Sequence, residues 1–344
     1  MQKKAHVAII GYGVIGKRVA DAVSVQDDME LAGIADTSSS IRLRVASSKG
    51  YRIYSATDEA ASQMETSGIS LSGSLDDLLA EADIVVDCTP KSIARENVET
   101  YQKRGLKFIL HGGEAHDVTG HSFVAESNFE SAIGKNATRV VSCNTTSIVR
   151  TLGALKRAGL LRKARGTLLR RATDPWESHL GGIMNTLVPE PHIPSHQGPD
   201  AKTVDPDLDV VTMAVKVPQT LAHLHYWNVE LVKPVNVAEV VEAFRASSRI
   251  KMVRIDQGMT GLNSIKELMA DLNRAHDNLY EVALWEDLMT IEGTELYYAY
   301  MVDNQAIVIP ETIDAIRALT GFSSDPRASI HKTNESLGIR ETFL

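Results

Sequence analysis

Short apolar runs alternate with helically spaced ones through the first half of the chain. Residues 6–10, 31–35, 84–88, 108–110 and 139–142 have the length and β-branched content of strands. Between them, 14–23 and 75–81 carry apolar side chains at helical spacing. Strand, helix, strand at this rhythm predicts a parallel sheet with crossover helices. From about Gly166 the pattern changes. Residues 167–171, 210–217, 223–231, 251–255 and 296–303 read as strands with fewer helices between them, which predicts a second domain built on a largely antiparallel or mixed sheet. Two helices there carry start signals. Asn236 can cap a stripe of Val237, Val240, Val241 and Phe244, and Ser264 with Glu267 forms a capping box ahead of Ile265, Leu268, Met269 and Leu272. Residues 187–206 are polar and broken by Pro, His and Gly, and irregular stretches of that length are commonly functional.

A length of 344 residues fits two domains at roughly 150 residues each. The composition, 43% hydrophobic and 23% charged, is that of a globular protein and excludes disordered and fibrous classes. A formal charge of −8 argues against a nucleic-acid partner or an anionic membrane surface, so any anionic ligand must be met by local cations. Two cysteines, Cys88 and Cys143, are too few for a disulfide framework and point to a reducing compartment, the cytoplasm. The apolar run before Gly11 is too short for a signal peptide, and no window of about 18 apolar residues is present, so neither export nor a membrane span is expected.

Four segments carry chemistry. Gly11-Tyr12-Gly13-Val14-Ile15-Gly16 follows a strand and opens a helix, the context in which such glycines let a pyrophosphate approach the backbone at a helix N-terminus. Asp36, ending the second predicted strand, would hydrogen-bond an adenosine ribose and repel a 2′-phosphate. The fold class is therefore α/β, a Rossmann dinucleotide-binding domain followed by an α+β catalytic domain. Cys143, within Ser142-Cys143-Asn144-Thr145-Thr146, precedes a helical stripe of Ile148, Leu152 and Leu155, and a helix N-terminus favours the nucleophilic thiolate. Cys88 lies inside an apolar run and reads as buried filler. His223 and His225 share one face of a strand, and either can serve Cys143 as a base; the ligand count for a metal is missing. Arg170 and Arg171, with His196 and Gln197 downstream, can fork onto a phosphate. His111-Gly112-Gly113-Glu114 ends a first-domain strand, where the ligand crevice of such a sheet lies.

Together these segments resemble the archaeal type of phosphorylating glyceraldehyde-3-phosphate dehydrogenase. The resemblance extends over nearly the whole chain, through Asp83-Ile84-Val85-Val86-Asp87, Gly112-Gly113-Glu114, Val140-Val141-Ser142-Cys143-Asn144-Thr145-Thr146, Arg170-Arg171-Ala172, Leu187-Val188-Pro189, Met213-Ala214-Val215 and Thr333-Asn334-Glu335-Ser336-Leu337-Gly338. It implies Cys143 as nucleophile and His223 as base. It places Ser142, Asn144, Arg170, His196 and Gln197 at the substrate, and Gly11, Gly13, Val14, Ile15, Gly16, Asp36, Gly113, Arg171 and Asn304 at the cofactor. It further implies a homotetramer, and domains at 1–142 and 143–305 with a segment 306–344 folding back on the first.

The expected reaction is oxidation of glyceraldehyde 3-phosphate to 1,3-bisphosphoglycerate through a cysteine thiohemiacetal and thioester, with inorganic phosphate as acyl acceptor. NAD is the expected cofactor, because members that favour NADP carry Lys at the position of Asp36; Ser38 to Ser40 leave a route to NADP. Gln197 stands where a second His is common, and Gln305 lies beside the Asn304 that aligns with a cofactor-binding Gln. A related thiol-dependent semialdehyde dehydrogenase and a non-catalytic NAD-binding redox sensor are the competing readings.

Overall fold

The computed structural model describes residues 4–111 and 113–343, so Gly112 lies outside the described residues. The chain divides into two compact units, Met1–Val141 with Ile309–Leu337, and Ser142–Val308 with Gly338–Leu344.

The first unit is built on eight parallel strands: β1 (Ala5–Ile10), β2 (Met29–Asp36), β3 (Ile53–Ser55), β4 (Gly73–Ser74), β5 (Ile84–Asp87), β6 (Lys107–Leu110), β7 (Ser122–Phe123) and β8 (Ala137–Val140). Their order is β4-β3-β2-β1-β5-β6-β8-β7, so the winding reverses between β1 and β5. Val7 to Ile10 and Ile84 to Val86 are all buried, as strands covered on both faces must be. The reversal opens a crevice beyond the carboxyl ends of β1 and β5, where ligands bind in sheets of this kind. In the same unit, helix Ile309–Thr320 is anchored by Arg317, whose buried guanidinium donates to Asp28 Oδ2 at 2.8 Å and Oδ1 at 3.0 Å.

The second unit holds β9 (Leu161–Arg171), β10 (Val188–Pro189), β11 (Val210–Val217), β12 (His223–Leu231), β13 (Ile250–Val253), β14 (Val282–Trp285), β15 (Thr290–Glu292) and β16 (Glu295–Val302). The order is β10-β11-β9-β12-β16-β14-β13, with β15 beside β16. The sheet is mixed: β12 runs antiparallel to both β9 and β16, whereas β11 is parallel to β9. Since β12 opposes both neighbours, its first residue lies beside the end of β9 and the end of β16. Arg171, His223 and the residues after Val302 are thus brought to one sheet edge.

Three expectations are altered. Ser142 is not strand: β8 stops at Val140, and Ser142 caps the next helix because its hydroxyl accepts the Thr145 N–H at 3.2 Å. Helix Leu262–Asp271 starts two residues before Ser264, whose hydroxyl instead accepts the Gly261 N–H at 3.2 Å from the third helical position. The C-terminal segment divides. Residues 306–308 and Gly338–Leu344 go with the second unit, where Arg274 donates to the Gly338 carbonyl at 3.1 Å and Phe343 packs in the apolar cluster of Ile265, Met269 and Trp285.

Candidate functional site

In the first unit, Gly11 adopts φ +87°, and a Cβ there would approach the Cys88 carbonyl carbon to 3.1 Å. A Cβ on Gly16 would lie 1.9 Å from the Gly11 oxygen, so helix Val14–Ser24 meets β1 as closely as it does only because both positions lack side chains. Gly13, the N-cap of that helix, has nothing within 4 Å of its missing side chain. Open space over a helix N-terminus bordered by Val14 and Ile15 is the cradle that a pyrophosphate requires. Asp36 ends β2 with both oxygens held, accepting the Tyr12 N–H at 2.6 Å and the Ser38 N–H at 2.7 Å. Gly113 follows β6 at φ +80°. The residues present therefore fit a dinucleotide.

Cys143 opens helix Cys143–Arg157 in the second unit, immediately after the Ser142 cap. Capping uses the Ser142 hydroxyl, which also pairs with Thr145 Oγ1 at 2.9 Å, and Thr145 donates onward to Asp200 at 2.7 Å. The sequence suggested a stabilised thiolate, yet in this structure burial pushes the Cys143 thiol up to about 11, against the lowering pull of Arg171, the Asn144 N–H and Arg170. A helix terminus contributes about 0.3–1 kcal/mol, less than one pKa unit, so burial dominates. Burial likewise raises the Cys88 thiol, although the residue as a whole is only partly buried and stands just past the end of β5 rather than within the strand.

Period two along β9 sends Arg170 and Arg171 to opposite faces. Arg170 pairs with Glu190, and Glu190 also lies 3.3 Å from His196 Nδ1. Arg171 pairs with Asp174, and Asp174 accepts the Gln305 side-chain amide at 2.8 Å. Gln305 is thereby committed to the protein, whereas Asn304 Oδ1 is buried with no partner. Of the other residues expected at the site, Arg170 Nε and both polar atoms of the Gln197 amide are also buried without partners. Buried polar atoms without partners are costly, and each of these is a group that a polar ligand could complete.

The two histidines, equivalent in sequence, separate clearly. His225 is wholly buried with both nitrogens engaged, Nε2 with Asn144 Oδ1 at 2.9 Å and Nδ1 with the Tyr300 hydroxyl at 3.0 Å. It braces the helix that begins at Cys143 through the Asn144 side chain, while the Asn144 backbone N–H bonds the thiol. Burial lowers the His225 pKa to about 3, so it stays neutral. His223 accepts the Arg171 backbone N–H on Nδ1 at 3.0 Å, which in a neutral ring leaves the proton on Nε2. Burial, then His225, Arg171 and Arg170, hold its pKa well below the usual histidine range.

Asp174, Glu190 and Asp200 escaped the sequence reading. Glu190 lies in the punctuated stretch 187–206, but nothing in sequence pairs it with Arg170.

The profile described as glyceraldehyde 3-phosphate dehydrogenase, C-terminal domain, matches residues 142–287, and that described as dihydrodipicolinate reductase, N-terminus, matches residues 5–113. The chain is 46% identical to a glyceraldehyde-3-phosphate dehydrogenase of Methanococcoides burtonii over 98% of its own length and 99% of the relative's. It is 45% identical to that of Methanobrevibacter smithii over 97% and 99% of the two chains, and 44% identical to that of Archaeoglobus fulgidus over 99% of both.

Proposed function

Because the chain belongs to the glyceraldehyde-3-phosphate dehydrogenase family and carries that glycolytic activity, we propose that it oxidises its aldehyde through a thiohemiacetal and a thioester on Cys143, with inorganic phosphate as acyl acceptor. The observation that carries this reading is the placement of Cys143 at a capped helix start, facing the Asn144 N–H and the charges of Arg170 and Arg171.

The thiol first loses its proton to solvent, a step that burial opposes and the two arginines favour. Thiolate attack forms the sulfur–carbon bond and moves the carbonyl π pair onto oxygen, giving an alkoxide directly. His223 donates its Nε2–H to that oxygen; with Nδ1 turned to the Arg171 N–H, the ring is a hydrogen-bond donor here and replaces the base expected from sequence. A nicotinamide dinucleotide held at the glycine turn and Asp36 would supply the hydride acceptor that collapse of this alkoxide to the thioester requires. A phosphate oxygen then attacks the thioester carbon, the carbon–sulfur bond breaks, and Cys143 is regenerated as thiolate beside 1,3-bisphosphoglycerate. Arg170, His196 and Gln197 hold phosphate, Ser142 and Asn144 shape the surroundings of the thiol, and Arg171 and Asn304 are the second unit's candidates for binding the cofactor.

Gly11, Gly13, Val14, Ile15, Gly16 and Gly113 receive the rest of the dinucleotide. NAD is preferred to NADP because the Asp36 carboxylate, fixed by two N–H groups, repels a 2′-phosphate. The enzyme works as a homotetramer. Trp176, Leu180, Met184, Leu187 and Ile193 expose apolar side chains along one segment of the second unit, which an interface between copies would cover. Light scattering at four times the 37.5 kDa chain mass is the expected result, and a monomer would refute the assembly. Two free thiols suit a reducing cytoplasm.

Replacing Cys143 by Ser tests the reading. NAD binding is expected to persist while phosphate-dependent reduction of NAD ceases. Retained turnover would remove Cys143 from the chemistry, and sulfenate accumulation without turnover in the parent protein would favour a redox sensor.

A further inference from the structure

The cations that would hold phosphate already hold a carboxylate. Glu190 pairs with the Arg170 guanidinium through Nη1 and lies 3.3 Å from His196 Nδ1. Its side chain is 18% exposed and that of Arg170 is 23%, so water screens the pair weakly. Meanwhile Arg170 Nε and the whole Gln197 amide remain buried without partners. The pairing thus satisfies part of the site and leaves the rest incomplete.

We propose that Glu190 is an internal competitor for phosphate. Its carboxylate occupies Arg170 and His196 in the resting enzyme, and a phosphate group binds by displacing it and completing Arg170 Nε and Gln197. Charge supports competition. Arg171 is neutralised by Asp174, Asp200 lies near His196, and burial and Arg170 keep His196 below its usual pKa. Glu190 cancels the Arg170 charge, so an anion that takes this guanidinium must displace the carboxylate. Anchoring of Glu190 is slight: its backbone N–H bonds the Ala214 carbonyl at 2.9 Å, just past the two-residue edge strand β10. A carboxylate held there can leave without dismantling a helix or a central strand.

The inference rests on the reading that Arg170 and His196 bind phosphate, either inorganic or the ester of the aldehyde. Glu190→Gln tests it, because the amide oxygen can still accept from Arg170 while the charge is gone. KM for inorganic phosphate is measured at saturating aldehyde and KM for glyceraldehyde 3-phosphate at saturating phosphate, with unphosphorylated glyceraldehyde as control. A fall of about tenfold in one KM, equivalent to about 1.4 kcal/mol, is expected, and the arm that falls identifies the phosphate concerned. Sulfate inhibition should tighten in parallel, in Glu190→Ala as well, which guards against a variant that folds poorly. Both KM values unchanged, or either one raised, would overturn the competitor and make Glu190 merely a support for Arg170. Wild-type turnover indifferent to phosphate, with equal use of unphosphorylated aldehyde, would overturn the phosphate site and the inference with it.

Discussion

The two histidines of β12 provide a paired perturbation with opposite outcomes. His223→Ala removes an Nε2–H donor to the developing alkoxide, and loss of one such donor costs roughly a hundred- to a thousandfold in kcat, or about 2.7–4 kcal/mol. In the fold it strands one group, the Arg171 N–H, for about 1–3 kcal/mol. His225→Ala strands the buried Asn144 Oδ1, for about 1–3 kcal/mol, leaves the Tyr300 hydroxyl with the Ser147 hydroxyl at 3.4 Å, and touches no reacting atom. Steady-state reduction of NAD and thermal unfolding, run on both variants, should show His223→Ala losing mainly kcat and His225→Ala losing mainly Tm. The pH profile adds a second readout. His223 is held neutral below the usual histidine range, so wild-type kcat should show no histidine limb near pH 6.5 and should rise with pH as the Cys143 thiol ionises. A His223→Ala enzyme within tenfold of wild type, or a limb near pH 6.5 that this substitution abolishes, would refute the donor assignment.

Two further outcomes test other parts of the structure. Asp28→Asn leaves the buried Arg317 charge without its bidentate partner and should cost about 3 kcal/mol at pH 7, read as a fall in Tm. Burial raises the Asp28 pKa, but Arg317 and then Lys332 outweigh it and the net shift is downward; this stability is therefore present above the unfolded pKa of about 3.9 and lost as pH falls through the lowered folded value, so the two proteins should converge in acid. Asp36→Asn keeps one acceptor oxygen and removes the charge, and should raise the use of NADP relative to NAD by about tenfold; equal activity of the wild type with both would refute the role given to Asp36.

Where one face of a strand is buried, the sequence was legible to the residue. Strands 210–217 and 223–231 appear as Val210–Val217 and His223–Leu231 because side chains alternate between core and the opposite face. Strands such as Gly73–Ser74, Ser122–Phe123 and Val188–Pro189 are too short to show a period, and Val282–Trp285 is buried throughout, so alternation could not reveal it. The glycine turn and the capped cysteine were visible because each needs only adjacent residues. What decided between His223 and His225 was not local. It is the Arg171 N–H on one ring and the Tyr300 hydroxyl on the other, partners chosen by the antiparallel pairing of β12 with β9 and β16, and Asn144 from the helix that begins at Cys143. Thiol burial and the Arg170–Glu190 pair belong to the same class, properties of packing that composition and spacing do not encode.

The central claim is an acyl group carried by Cys143 and released to phosphate. The most direct test follows NAD reduction by glyceraldehyde 3-phosphate in stopped flow, with and without inorganic phosphate. Without phosphate, a burst of about one NADH per active chain should appear and stop, and the peptide bearing Cys143 should gain one 3-phosphoglyceroyl group; added phosphate should restore steady turnover. Sustained turnover without phosphate, or a burst with Cys143 unmodified, would contradict the account.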